Sequence, residues 1–254
     1  MKKRRRLRTL SLSVCSLLLI GMPVFAHAAA WGGTSEFSRL LERFPQPKGR
    51  VDSTSVWSSN TITVCWEASA KPFPLERQWT QDAVLNTWQA HSDLKFVGWG
   101  GCAPGASGVH LTVADEDPEA MGVGNQLDGV DNGVVLNFQM KAVVIPCGTD
   151  RAQCIRIIAV HEFGHVIGLV HEGWNAGKPD ACTANTTGPA GDKSLTPYDV
   201  DSVMNYCNPL YGNKGVLSQG DIVSVKIMYS WRPPSQGGAV AIAKQSLIEP
   251  VFKP

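Results

Sequence analysis

The chain has 254 residues, 43% hydrophobic and 18% charged, with 23 Lys and Arg against 22 Asp and Glu. That apolar content supports a packed core and excludes a disordered chain, and a net charge of +1 excludes a basic nucleic-acid-binding protein. The charge is unevenly spread: six cations fall in the first eight residues, leaving 17 bases against 22 acids in the remainder.

The basic leader has the parts of an export signal. Lys2–Arg8 precedes an apolar run, Leu10–Ile20, then the breakers Gly21 and Pro23, then Ala26-His27-Ala28, a small-residue cleavage site. The run has 11 residues, whereas a membrane-spanning helix needs roughly 20. Residues 1–28 are therefore expected to be a signal peptide, and the product secreted, extracellular or periplasmic, with no membrane attachment after cleavage. Cys15 leaves with the leader, and the six remaining cysteines predict three disulfides in an oxidising compartment. Many pairings are open; chain order suggests Cys65–Cys102, Cys147–Cys154 and Cys182–Cys207. A cysteine zinc site is not expected, because no C-x-x-C spacing is present.

Residues 29–55, punctuated by Pro45, Pro47 and Gly49, read as an N-terminal arm or short propeptide. Thr61–Trp66 alternates and is rich in β-branched residues, which predicts a strand. Leu75–His91 has apolar residues at helical spacing and no internal Gly or Pro, which predicts a helix. Leu94–Val97, Val109–Val113 and Val134–Phe138 are further strand candidates. Ala152–Gly168 predicts a long helix, followed by an irregular stretch to about Pro209. Ser218-Gln-Gly-Asp221 reads as a capping box opening a last helix that runs to Tyr229. The tail, 233–254, contains the linker Gly237-Gly238. Asn185-Thr-Thr187 is a glycosylation sequon, relevant only in a source that modifies such sites.

The chemistry concentrates in His161-Glu-Phe-Gly-His165-Val-Ile-Gly168-Leu-Val-His171-Glu172. Residues four apart share a helix face, so His161 and His165 can point at one metal ion. Glu162 can reach a water activated there without being a ligand. Gly168 permits the positive φ that ends the helix, which lets His171 return as third ligand. Three imidazoles make an open, catalytic type of zinc site. A chance match to this spacing has odds of about one in ten thousand. His91 and His110 are expected to be structural.

H-E-x-x-H-x-x-G-x-x-H resembles the zinc signature of metzincin metallopeptidases, and the following Glu172 is similar to the astacin branch. Ser202-Val-Met204-Asn-Tyr206 resembles the metzincin Met-turn, and Leu217–Ile222 the opening of that family's C-terminal helix. The resemblance implies an α+β, metzincin-like (zincin) fold: a twisted, mostly parallel N-terminal sheet, two long helices, an irregular C-terminal lobe ending in a helix, and a cleft between lobes. It implies an astacin-like catalytic domain over residues 56–232 and a zinc-dependent endopeptidase acting on protein or peptide substrates. Its residues would be the metal ligands His161, His165 and His171, the general base Glu162, and Tyr206 as a weak fifth ligand that swings away to hydrogen-bond the tetrahedral intermediate. Met204 would floor the site, Glu172 would be structural, and Val134–Phe138 would be the sheet edge that pairs with substrate. One zinc ion and a monomer are expected. Calcium, in the acidic loop around Asp115, Glu116, Asp117, Glu119, Asp128 and Asp131, lacks supporting spacing. The competing expectation is a secreted zinc-containing binding or adhesion module without proteolytic activity.

Overall fold

A central five-stranded sheet carries the N-terminal half of the fold. The computed structural model describes residues 50–142, 145–175, 177–180, 182 and 188–230. The leader, most of the arm, the sequon and the tail lie outside these residues. The elements are β1 (Arg50–Val51), β2 (Thr61–Trp66), α1 (Pro74–Val84), β3 (Lys95–Gly101), β4 (Val109–Val113), β5 (Glu119–Ala120), β6 (Val134–Leu136), α2 (Arg151–Val166), β7 (Lys193–Ser194) and α3 (Gln219–Tyr229). The sheet order is β3-β2-β4-β6-β5. All neighbours are parallel except β5, which runs antiparallel to β6.

The predicted strands β2 and β4 appear at their expected bounds. β4 and β6 are buried at every position, as strands covered on both faces by crossover elements must be. β3 extends past the predicted Val97 because a register irregularity opposite Val64 and Cys65 absorbs Gly98 and Trp99, whose φ angles are 96° and 60°. The kink aims the Trp99 ring onto Phe163, stacked at 5.7 Å.

One expectation is corrected. Val134–Leu136 is not the sheet edge, because β5 pairs on its outer side. β5 has two residues and an acid, too short and too polar to register as a strand by alternation. Pro118 immediately before it is the one local sign of an edge. The helix expected through His91 changes pitch: after Val84, Leu85–Gln89 widens to a π turn. There Thr87 Oγ1 donates to the Ala83 carbonyl at 2.6 Å, competing with the backbone ladder.

α2 is the axle of the molecule. From Ile157 to Val166 every residue is buried, so the helix is enclosed on all sides. Asp150 caps its start by accepting from the Gln153 amide. α1 and the sheet pack on one side; Trp88 donates its indole N–H to the Val160 carbonyl at 2.8 Å. The other side meets the C-terminal region. β1 pairs with β7, and Val51, 2% exposed, also bridges to Leu169. The last residues of the expected 29–55 arm thus belong to the folded body. The three disulfides are Cys65–Cys102, Cys147–Cys154 and Cys182–Cys207, the pairing that chain order suggests.

Candidate metal centre

His161 and His165 lie one turn apart on α2, and the end of that helix determines where His171 goes. Gly168 adopts φ 101°. Its amide donates to the His165 carbonyl and the Leu169 amide to the Gly164 carbonyl, both at 2.9 Å. This is the paired-bond pattern of a Schellman turn. The remaining terminal carbonyls find distant partners: Val166 accepts from Trp57 Nε1 at 2.7 Å, Ile167 from Tyr229 Oη at 2.7 Å, and Gly168 from the Asp52 amide at 3.2 Å. No orphan carbonyl is left to loosen the turn.

The turn brings the three imidazoles together. Nε2 of His171 lies 3.2 Å from Nε2 of His161 and 3.0 Å from Nε2 of His165. Nδ1 of His161 donates to the Val203 carbonyl at 2.7 Å, and Nδ1 of His165 to the Leu169 carbonyl at 2.9 Å. A carbonyl can only accept, so both protons sit on Nδ1 and both Nε2 lone pairs face inward. Lone pairs crowded this way repel unless a cation lies between them. The spacing is close to the roughly 3.4 Å between donors that zinc–nitrogen bonds of about 2.1 Å require in a tetrahedral site. The residues therefore fit one zinc ion. Burial pushes His161 down to about 3, with the His171 charge second, and pushes His165 well below the ordinary imidazole value. Both rings are neutral, as ligands must be.

Glu162 is 2% exposed and its Oε2 has no hydrogen-bond partner among the described residues. Burial, with the charge of Glu119 second, pushes it up to about 8. Tyr206 Oη stands 3.1 Å from His161 Nε2. Burial first, then Glu162, raises this phenol far above its usual value, so it stays protonated. Met204 underlies the helix at Gly164, where any Cβ would collide with its Sδ.

A capping box holds this floor in place. Ser218 accepts from the Asp221 amide and Asp221 Oδ2 from the Ser218 amide, both at 2.9 Å. The same carboxylate accepts from Ser202 Oγ at 2.7 Å and from the Val203 amide at 3.0 Å. One residue, Val203, thus links the α3 cap to His161 through its amide and its carbonyl. Glu172 is 4% exposed, so it is not a surface carboxylate. It accepts from Asn175 Nδ2 at 3.1 Å and the Asp199 amide at 3.3 Å, while its own amide donates to the Met204 carbonyl.

A cleft of about 240 Å³ opens over the centre, lined by Glu162, His165, His171 and Tyr206, by Asp117–Val123 in part, and by Val170, Gly188 and Pro189. All five predicted site residues come together. Asp117 and Glu119 were candidates only for calcium. Three of the six acids of that loop are engaged elsewhere: Asp115 accepts from the Lys141 and Ala142 amides, Asp128 from the Gly108 amide, and Asp131 faces His110. His110 is structural, held by Glu67 and the Ala106 carbonyl. The hold of Asp221 on Val203, and the roles of Trp57 and Tyr229, leave no local sign in the sequence, because each acts through a partner at least 18 residues away.

Neither a protein-family model nor a curated protein sequence matches the chain. Solved structures resemble it. The structure of myroilysin matches at TM-score 0.53 and 17% identity, over 73% of this chain and 100% of that one. High choriolytic enzyme 1 (HCE-1), a hatching enzyme zinc-protease from Oryzias latipes (medaka fish), matches at TM-score 0.49 and 17% identity, over 74% of this chain and 100% of that one. At this identity the likeness to myroilysin is one of fold, and it agrees with the α+β, metzincin-like architecture expected from the motifs.

Proposed function

We propose that the chain is a secreted zinc-dependent endopeptidase of the astacin-like metzincin type. The observation that carries this reading is the convergence of three imidazole Nε2 atoms beside a buried carboxylate oxygen that has no partner among the described residues. Leaving a carboxylate oxygen buried and unpaired is costly, and a site that only staples the fold gains nothing from it. A general base does: it needs an oxygen free to take a proton. This favours the peptidase over a zinc-containing binding module. The leader and the three disulfides support export.

His161, His165 and His171 would hold the zinc, with the Val203 and Leu169 carbonyls fixing the tautomers of the first two. When bound, zinc supplies Lewis acidity, acidifying water and polarising a peptide carbonyl. Glu162 takes the proton of the attacking water and delivers it to the departing amine. Tyr206, kept protonated by its buried position, donates to the oxyanion developing on the scissile carbonyl. The free side of β5 is where an extended substrate adds to the sheet.

Glu162→Ala tests the reading. The variant is expected to bind one zinc per chain while casein hydrolysis falls by about 100-fold or more. Hydrolysis at the unaltered rate would show that Glu162 is not the base and that this mechanism is wrong.

A further inference from the structure

We infer that the cleft selects peptides carrying a Lys or Arg side chain within a few residues of the scissile bond, and that Asp117 and Glu119 read that charge. The inference rests on the peptidase reading and names its substrate class. Both acids line the cleft, and no Lys or Arg is among the described residues that do. Both are exposed, and neither forms an ion pair among the described residues. Their neighbours in the loop differ, since Asp115, Asp128 and Asp131 are engaged with the fold. Of the remaining three, Glu116, Asp117 and Glu119, only Asp117 and Glu119 line the cleft, and they are the charges placed to face a ligand.

Backbone geometry aims them. Asp117 precedes Pro118, which biases it towards extended conformation, and Glu119 begins β5. Residues two apart on an extended chain share a side. A peptide pairing along β5 would bring its own side chains to roughly 5 Å from these carboxylates, where opposite charges attract and like charges repel. A substrate cation seated between these two cleft-lining carboxylates is attracted by both, whereas an acidic side chain is repelled.

The test is digestion of a randomised peptide library by the purified, zinc-loaded protein, with cut sites read by mass spectrometry. Lys and Arg are expected to be enriched about tenfold over Asp and Glu at one position near the cut. The enrichment should collapse in the double variant Asp117→Asn, Glu119→Gln, and acidic side chains should gain in Glu119→Lys. Both side chains are exposed, so these substitutions leave the core intact. Uniform flanking positions, or an enrichment unchanged in the double variant, would overturn the inference. A second arm measures fluorescence anisotropy of two labelled peptides, one Lys-flanked and one Glu-flanked, on Glu162→Gln, which leaves them uncut. If the library is not cut at all, the peptidase reading fails and anisotropy alone decides this inference. Tighter binding of the Lys peptide, lost when the two acids are neutralised, supports it; equal binding of both peptides sinks it.

Discussion

Gly164 is the residue where sequence motif and packing meet. It occupies a variable position between the two helical histidines, yet a Cβ there would drive into Met204 Sδ. Gly164→Ala is expected to cost about 1–3 kcal/mol by overpacking, measured by urea unfolding; an unchanged midpoint would mean that Met204 moves aside freely. In the proposed mechanism Tyr206 acts through one oxygen, so Tyr206→Phe should lower kcat by about 100-fold with zinc content unchanged, as measured by metal analysis beside peptide hydrolysis. Asp221 makes a pH-dependent contribution. Burial pushes it from 3.8 up to about 6 despite the hydrogen bonds from Ser202, Val203 and Ser218. The folded chain therefore holds this proton more tightly than the unfolded chain. That contribution to stability is complete below pH 3.8 and is lost as pH rises through about 6. The stability difference between wild type and Asp221→Asn should accordingly change across this window and be constant above it; a difference independent of pH would refute the assignment. The residue-scale chemistry was legible in the sequence, because His161, Glu162 and His165 sit within five residues and local helix geometry relates them.

At the scale of elements, the end of α2 does more than stop a helix. Gly168 holds φ 101°, which for an L residue with a side chain costs roughly 1–2 kcal/mol. Gly168→Ala should lose about that much stability and also weaken zinc binding, because the turn aims His171; a competition titration with a chelator would show it. If zinc affinity stayed the same, His171 would be placed by its own loop and not by the turn. The spacing from Gly168 to His171 announced this turn. The partners that close it, Trp57, Tyr229 and Asp52, lie far away in sequence. The sheet edge was misread for a related reason. β6 has the stronger β-branched pattern, but its place inside the sheet depends on β5, a two-residue strand stabilised by its neighbour and not by its own alternation.

Across the whole molecule, the candidate centre lies where the N-terminal sheet with its helices meets the C-terminal region. His161 hangs from Val203 and, through it, from the cap of α3. A metal bound only by the folded chain stabilises it by mass action. Treatment with o-phenanthroline is expected to abolish hydrolysis and lower Tm on the order of 10 °C, while far-UV circular dichroism at 25 °C stays native. Loss of helical signal at that temperature would show that the metal is needed for folding itself. The three disulfides are why the fold should survive: they tie β2 to the end of β3, the loop before α2 to its first turn, and the irregular stretch to the Met204 turn.

The sequence by itself placed three histidines and a glutamate at one site, and gave the glycine that ends the helix and the order of the principal strands and helices. Each of these is written in short spacings that helix and strand periods convert directly into geometry. Only the tertiary structure decided which strand is the edge, which side chains satisfy the terminal carbonyls of α2, and that Asp117 and Glu119 line the cleft. Those outcomes depend on which distant segments pack together, a matter of buried surface and hydrogen-bond satisfaction over the whole fold that no local spacing encodes.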